Sequence, residues 1–348
     1  MNVDSQAPPY KPSWVDRLSD WVNKLPIPAW VFYVGLGLGL LLIQLLFLWI
    51  EGGSFEAGVL LPVIIFNAVL SPFALALIYI LDDQAVTALD SMRSVLEMTE
   101  QEFYRFRYGL SNMPPGTTLI TGLVMVLFAI LMEWLWIAPV RFAVLEQLPI
   151  FAIVFHIIDK SPAFVLGALT YHTVRQLRLV NTINSNYIRI SLFNLGPSKA
   201  FSKLTASTAV GLMVGIYGWM LINPDLLADP ISLGFVGLFT VLAITVFVWP
   251  LWGVHRLVEM EKAKALREID HGFEAVYAKF DQHLHDYNYT QTERLNGTIA
   301  SLEIKRKLIS EIPTWPWRPE TARFALSAIA LPLILTILQF FVLQAINR

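Results

Sequence analysis

Seven apolar stretches punctuate the chain, at roughly 29–50, 57–81, 117–138, 148–171, 204–222, 231–253 and 321–346. A helix needs about 20 such residues to cross the roughly 30 Å hydrocarbon core of a bilayer, and each stretch meets that length. Between them the pattern turns periodic. In 254–289, Leu266, Ile269, Phe273, Val276, Phe280, Leu284 and Tyr287 recur every three or four residues. That is one apolar stripe on a helix continuing the sixth span. After a break at Asn288, Leu295, Ile299, Leu302 and Ile309 form a second stripe, with Lys305 to Lys307 on its wet side. A hairpin of the two helices hides both stripes, against each other or against another subunit. Segments 83–108 and 172–195 read as amphipathic extensions of the second and fourth spans. Pro313, Pro316 and Pro319, with Trp315 and Trp317 between them, stop the helix before the last span. Proline cannot continue a helix, and tryptophan prefers the headgroup level.

The predicted fold is therefore all-α, a polytopic helical membrane protein in four parts. Residues 1–28 form an N-terminal segment, 29–253 a six-span region with helical extensions, 254–320 a helical anchor, and 321–348 the final span. Composition agrees: 55% of the 348 residues are hydrophobic and 15% charged, and mean hydropathy is +0.57. A soluble enzyme is excluded. The absence of cysteine removes disulfides, thiolate metal sites and thiol nucleophiles. A net charge of −2 predicts no nucleic-acid partner. No Gly-rich loop ending in Lys-Ser or Lys-Thr is present, and no cofactor is expected.

Basic residues orient the chain. With the N-terminus inside, 22 of the 25 lie on the inner side, Arg141 and Arg348 lie outside, and Lys160 lies within a span. The positive-inside bias thus places the N-terminus in and the C-terminus out. Trp30 and Trp49 bracket the first span as interfacial anchors.

Ionisable residues inside lipid are costly and face a cavity or a partner. Glu133, His156, Asp159 and Lys160 gather in the outer half of spans three and four. They read as a ligand pocket or ion path, as a structural Asp159–Lys160 or Glu133–Lys160 pair in a locally wet vestibule, or as groups left outside by a span that starts at Pro162. His156 and Asp159, three apart, share a helix face, but no Gly-X-Ser-X-Gly accompanies them. Asn67, Ser71 and Pro72 predict a kink in span two. Gly211, Gly215 and Gly218 form a small-residue ridge for close helix packing. Asp281 and His285 share a face, yet two ligands fall short of a closed zinc site, so that face reads as solvated. No metal site is expected.

In the last span, Thr336, Gln339, Leu343 and Asn347 recur at spacings of three, four and four, and the stripe continues inward through Pro332, Ile329 and Ala325. Two amides and a hydroxyl on one stripe either bond a neighbouring helix or line a conduit on a symmetry axis. No carboxylate lies on it.

Seven spans with the N-terminus inside, inward-projecting helices and a split last helix resemble the insect gustatory and odorant receptor-like seven-transmembrane ion channels. That family closes its last span with Thr-Tyr, about five apolar residues, then Gln-Phe. Here Gln339-Phe340 follows an apolar run, while Pro332-Leu333 replaces Thr-Tyr. The resemblance implies a homotetrameric, ligand-gated and poorly selective cation channel in the plasma membrane. Its last span would line the pore at Ile329, Pro332, Thr336, Gln339, Leu343 and Asn347. Its outer-half pocket, at Glu133, His156, Asp159 and Lys160, would take a small molecule. The alternatives are a membrane scaffold or signalling protein acting through its cytoplasmic helices, and a transporter or intramembrane enzyme using the His156–Asp159 region.

The orientation is checked by single cysteines at Ser5 and Asn347 in this cysteine-free chain. An impermeant maleimide is expected to label Asn347→Cys from outside and Ser5→Cys only after permeabilisation.

Overall fold

A continuous apolar run in hydrocarbon can satisfy its backbone only as a helix or a closed barrel. The computed structural model describes residues 8–53, 60–134, 145–188, 192, 200–222, 230–285, 289–317 and 319–346. It is 87% helix and has no strand among those residues. The helices are α1 (Trp14–Val22), α2 (Ala29–Ile50), α3 (Leu60–Ser91), α4 (Glu100–Ser111), α5 (Pro115–Met132), α6 (Pro149–Asn186), α7 (Ser202–Ile222), α8 (Pro230–His285), α9 (Tyr289–Ser310) and α10 (Pro319–Ile346). Among the described residues, six helical stretches are long and apolar enough to cross a membrane, carried by α2, α3, α4–α5, α6, α8 and α10.

Polar side chains set the register of the central pair, α3 and α6. Asn67 Nδ2 donates to Asp159 Oδ1 at 2.8 Å, and the Ser71 and Ser161 hydroxyls bond at 2.7 Å. Further along, Asp82 Oδ1 meets His172 Nε2 at 2.6 Å and accepts from Gln176 Nε2 at 3.1 Å. The two helices therefore run parallel, their partners offset by 90 to 94 positions. Asn67 and Ser71 serve as rungs to α6, and α3 continues through Pro72 to Ser91.

Glycines bring the neighbours close. An added Cβ at Gly167 of α6 would lie 2.3 Å from the Thr121 carbonyl oxygen and 2.8 Å from Gly122 Cα, so α5 and α6 touch backbone to backbone. The ridge read on α7 faces α3: a Cβ at Gly211 would fall 2.5 Å from Leu77, and one at Gly218 3.6 Å from Phe66. These are the packing contacts expected of small residues in membrane helices. At one end of the bundle, Glu51 after α2 accepts from the Ile150 and Phe151 amides at 3.0 and 2.6 Å. A carboxylate there satisfies orphan donors and complements the helix dipole of α6. Leu48, Ile64, Leu145, Leu148, Phe151 and Phe155 pack around it.

The other end carries the extensions. The stripe of α8 packs on that of α9: Ile269 and Ile309 are buried, Leu302 reaches Gly272, and Arg306 pairs with Asp270 at 3.4 Å. Lys262 Nζ donates to the Ser310 and Ile312 carbonyls at 2.6 and 2.8 Å, closing the hairpin. Residues 311–317 leave the helix, as the prolines predict. Their tryptophans build a stack of four rings on α8: Phe247 on Trp317 (4.9 Å), Trp317 on Trp315 (4.4 Å) and Trp315 on His255 (4.0 Å).

One expectation changes. Segment 83–108 is not one extension of α3. The helix ends at Ser91, Arg93–Val95 form a short turn, and the Thr99–Glu102 capping box starts α4 as a new helix. The N-terminal segment holds a helix as well. Ser13 and Asp16 form a capping box for α1, and Trp14 stacks on Phe164 of α6 at 5.3 Å.

Replacing Gly167 by Ala is expected to cost about 1–3 kcal/mol, because overpacking moves two backbones. Gly35, with nothing within 4 Å of its added Cβ, is expected to accept Ala with no loss. Thermal melts of the two variants in one detergent make the comparison.

Candidate functional site

All four ionisable residues of the predicted pocket come together at the end of the bundle opposite the hairpin. Glu133 follows the last turn of α5, and His156, Asp159 and Lys160 sit on α6. Spacings of three and four put His156 on the face of Asp159 and Lys160. The Lys160 ammonium bonds both Glu133 and Asp159, so the structure makes both of the ion pairs read as alternatives. Asn67 holds the second oxygen of Asp159. The three charged side chains are each about 20% exposed. Beside them is a cavity of about 440 Å³ lined by Ile130, Glu133, Trp134, His156 and Lys160. Trp134 and His156 are exposed at its rim. One ligating atom from each of Glu133, His156 and Asp159 lies within 4.8 Å of the others. In a low dielectric, two carboxylates need a cation between them, and the ammonium supplies it.

The last-span stripe is divided. Ala325 and Ile329 are buried with Ala206, Ala209, Met213, Ala243 and Phe247 of α7 and α8, and Thr336 is also buried. Gln339 is exposed. Asn347 and the side chains of Pro332 and Leu343 lie outside the described residues. On the hairpin, Asp281 is exposed, while Asp286 and the side chains of His283 and His285 lie outside the described residues.

A second polar network occupies the hairpin end of the α3–α6 seam. His172 is fully buried against Asp82, and Gln176 also donates to the Leu110 carbonyl at 2.7 Å. Arg175 bonds the Asn112 carbonyl and the Tyr10 hydroxyl, with its guanidinium 5.2 Å from the Tyr10 ring centroid. Tyr10 donates to the Asn112 carbonyl at 2.8 Å. Asp16 accepts from the Met113 amide at 2.9 Å. Together these groups fasten the α4–α5 turn to the N-terminal segment and α6. The sequence reading passed over Asp82 and His172, because each stands one residue beyond its apolar stretch. Their shared position at the hairpin-side edge of two spans was the available signal.

Burial pushes the Tyr10 hydroxyl up to about 12, against the opposing pull of Arg175. Between about pH 10 and 12 the unfolded chain loses this proton while the folded chain keeps it, so the folded state loses stability as pH rises. The stability advantage of the wild type over Tyr10→Phe is therefore expected to hold steady below pH 9 and to shrink between pH 10 and 12. Paired unfolding curves across that range check it.

No family model, curated protein or solved structure matches the chain. Its helices define it as an all-α integral membrane protein.

Proposed function

We propose that the chain is one subunit of a ligand-gated, poorly selective cation channel of the plasma membrane. It would be a homotetramer similar in plan to the insect chemoreceptor-type channels. Seven spans run from an inside N-terminus to an outside C-terminus. The span added to the six is α7, fifth in chain order, whose 21 residues carry Lys203 as their only charge. At 1.5 Å per residue, the 56 residues of α8 extend about 84 Å, far beyond any bilayer. The α8–α9 hairpin then forms the inner layer that joins the subunits.

One observation carries the reading: α10 holds to its own subunit by a single face. Ala325, Ile329 and Thr336 are buried, whereas Phe324, Leu331, Leu335, Leu338 and Phe341 are all more than half exposed. A helix so placed at the edge of its subunit leaves much of its surface for lipid and for copies of itself. Gln339, exposed within this apolar helix, is the polar group left for a symmetry axis. Ile329 and Thr336 then anchor the helix, and Gln339 with Leu343 forms the narrow part of the conduit. A polar ring flanked by apolar rings conducts when it wets.

Purified protein in liposomes is expected to pass Na⁺ and K⁺ with little preference. Gln339→Leu should reduce that flux severalfold, whereas Leu335→Ser, on the lipid side, should leave it unchanged. A tetramer that passes no ion in any condition would favour the scaffold reading instead.

A further inference from the structure

The cluster at Glu133, His156, Asp159 and Lys160 has an uneven charge balance. Leaving the imidazole aside, two carboxylates share one ammonium, a formal charge of −1 in the outer half of the membrane, with the three side chains only about one-fifth exposed. Residual charge at such depth is unfavourable. Asn67 lightens it with one hydrogen bond to Asp159 but brings no charge. A divalent cation between the same two carboxylates, in place of the ammonium, would bring their sum to zero.

The donor set selects which cation. Ligating atoms of Glu133, His156 and Asp159 lie within 4.8 Å of one another. Zinc binds imidazole nitrogen and carboxylate oxygen at about 2.0–2.2 Å, with donors spread tetrahedrally. Closing the three atoms onto one ion needs movements of about an ångström, within reach of side-chain rotation. An imidazole favours zinc and its transition-metal neighbours, whereas magnesium and calcium prefer oxygen alone. The adjoining cavity of about 440 Å³ supplies room for a water in the fourth position. Lys160 has a four-carbon stem, and His156 and Trp134 beside it are exposed. Once displaced, its ammonium can extend along the apolar wall toward the headgroups.

We infer that Glu133, His156 and Asp159 form a site for a divalent transition-metal ion, zinc above all, which binds by displacing the Lys160 ammonium. The ion exchanges one cation for another and neither makes nor breaks a covalent bond. The inference rests on reading this cluster as the ligand pocket. It is independent of conduction, so its failure is separable from failure of the channel reading.

Direct titration of the purified full-length protein in detergent with zinc chloride, competed against a chromophoric chelator, tests it. The wild type is expected to bind one zinc per chain, not displaced by millimolar magnesium. His156→Ala and Glu133→Gln should each weaken binding at least about tenfold, as loss of a ligand or its support does. Lys160→Met should tighten it, because the competing ammonium is gone while both carboxylates remain. Cobalt in place of zinc should give the intense visible absorption of a tetrahedral site in the wild type and lose it in His156→Ala. Equal zinc affinity in the wild type and His156→Ala would overturn the assignment, and so would weaker binding in Lys160→Met. If Lys160→Met does not fold, the comparison with His156→Ala decides alone. Liposome flux, measured separately, reports on the channel reading whatever the zinc result.

Discussion

The polar seam between α3 and α6 is the constraint on which the rest of the bundle depends. Apolar helices in lipid have little reason to choose one register over another, since lipid tails are as apolar as leucine. Asn67–Asp159, Ser71–Ser161 and Asp82–His172 remove that freedom. A slide of one helical turn, about 5.4 Å, would break all three pairings in a medium that offers few other partners. With this pair locked, α5 docks on α6 where Gly122 meets Gly167, and α7 docks on α3 along Gly211 and Gly218.

The same seam joins the two ends of the molecule. Asp159 belongs both to the ion cluster and to the first rung, so anything that draws on its carboxylate also touches Asn67 and α3. Asp82 belongs to the last rung, next to the knot of Arg175, Tyr10 and Asn112 that holds the N-terminal segment to the α4–α5 turn. Asp159 and Asp82 thus stand at opposite ends of one seam of fixed register.

The last helix has a different attachment. The Phe247–Trp317–Trp315–His255 stack fixes its entrance, and Ala325 and Ile329 fix one face. Beyond these contacts its apolar side chains are open to the surroundings. The hairpin joins the same region through Lys262, which holds the carbonyls of Ser310 and Ile312.

Much of this was legible in the chain. Apolar run length marked the membrane helices, because hydrocarbon thickness imposes one length on all of them. The three-and-four spacing from Leu266 to Tyr287 predicted the α8–α9 hairpin, and Pro313 to Pro319 placed the break before α10. Costly charges inside spans drew attention to Glu133, His156, Asp159 and Lys160, and the fold brings them into one cluster. Periodicity could not tell which helix would meet the Ile329–Thr336 face, since a stripe has the same spacing whether it meets a pore or a neighbour. Nor could it find the rungs. Asp82 pairs with His172, and Asn67 with Asp159, across about 90 intervening residues, and Glu51 caps a helix that begins about 100 residues later. Those partnerships depend on which helices lie side by side. Only packing in three dimensions decided that.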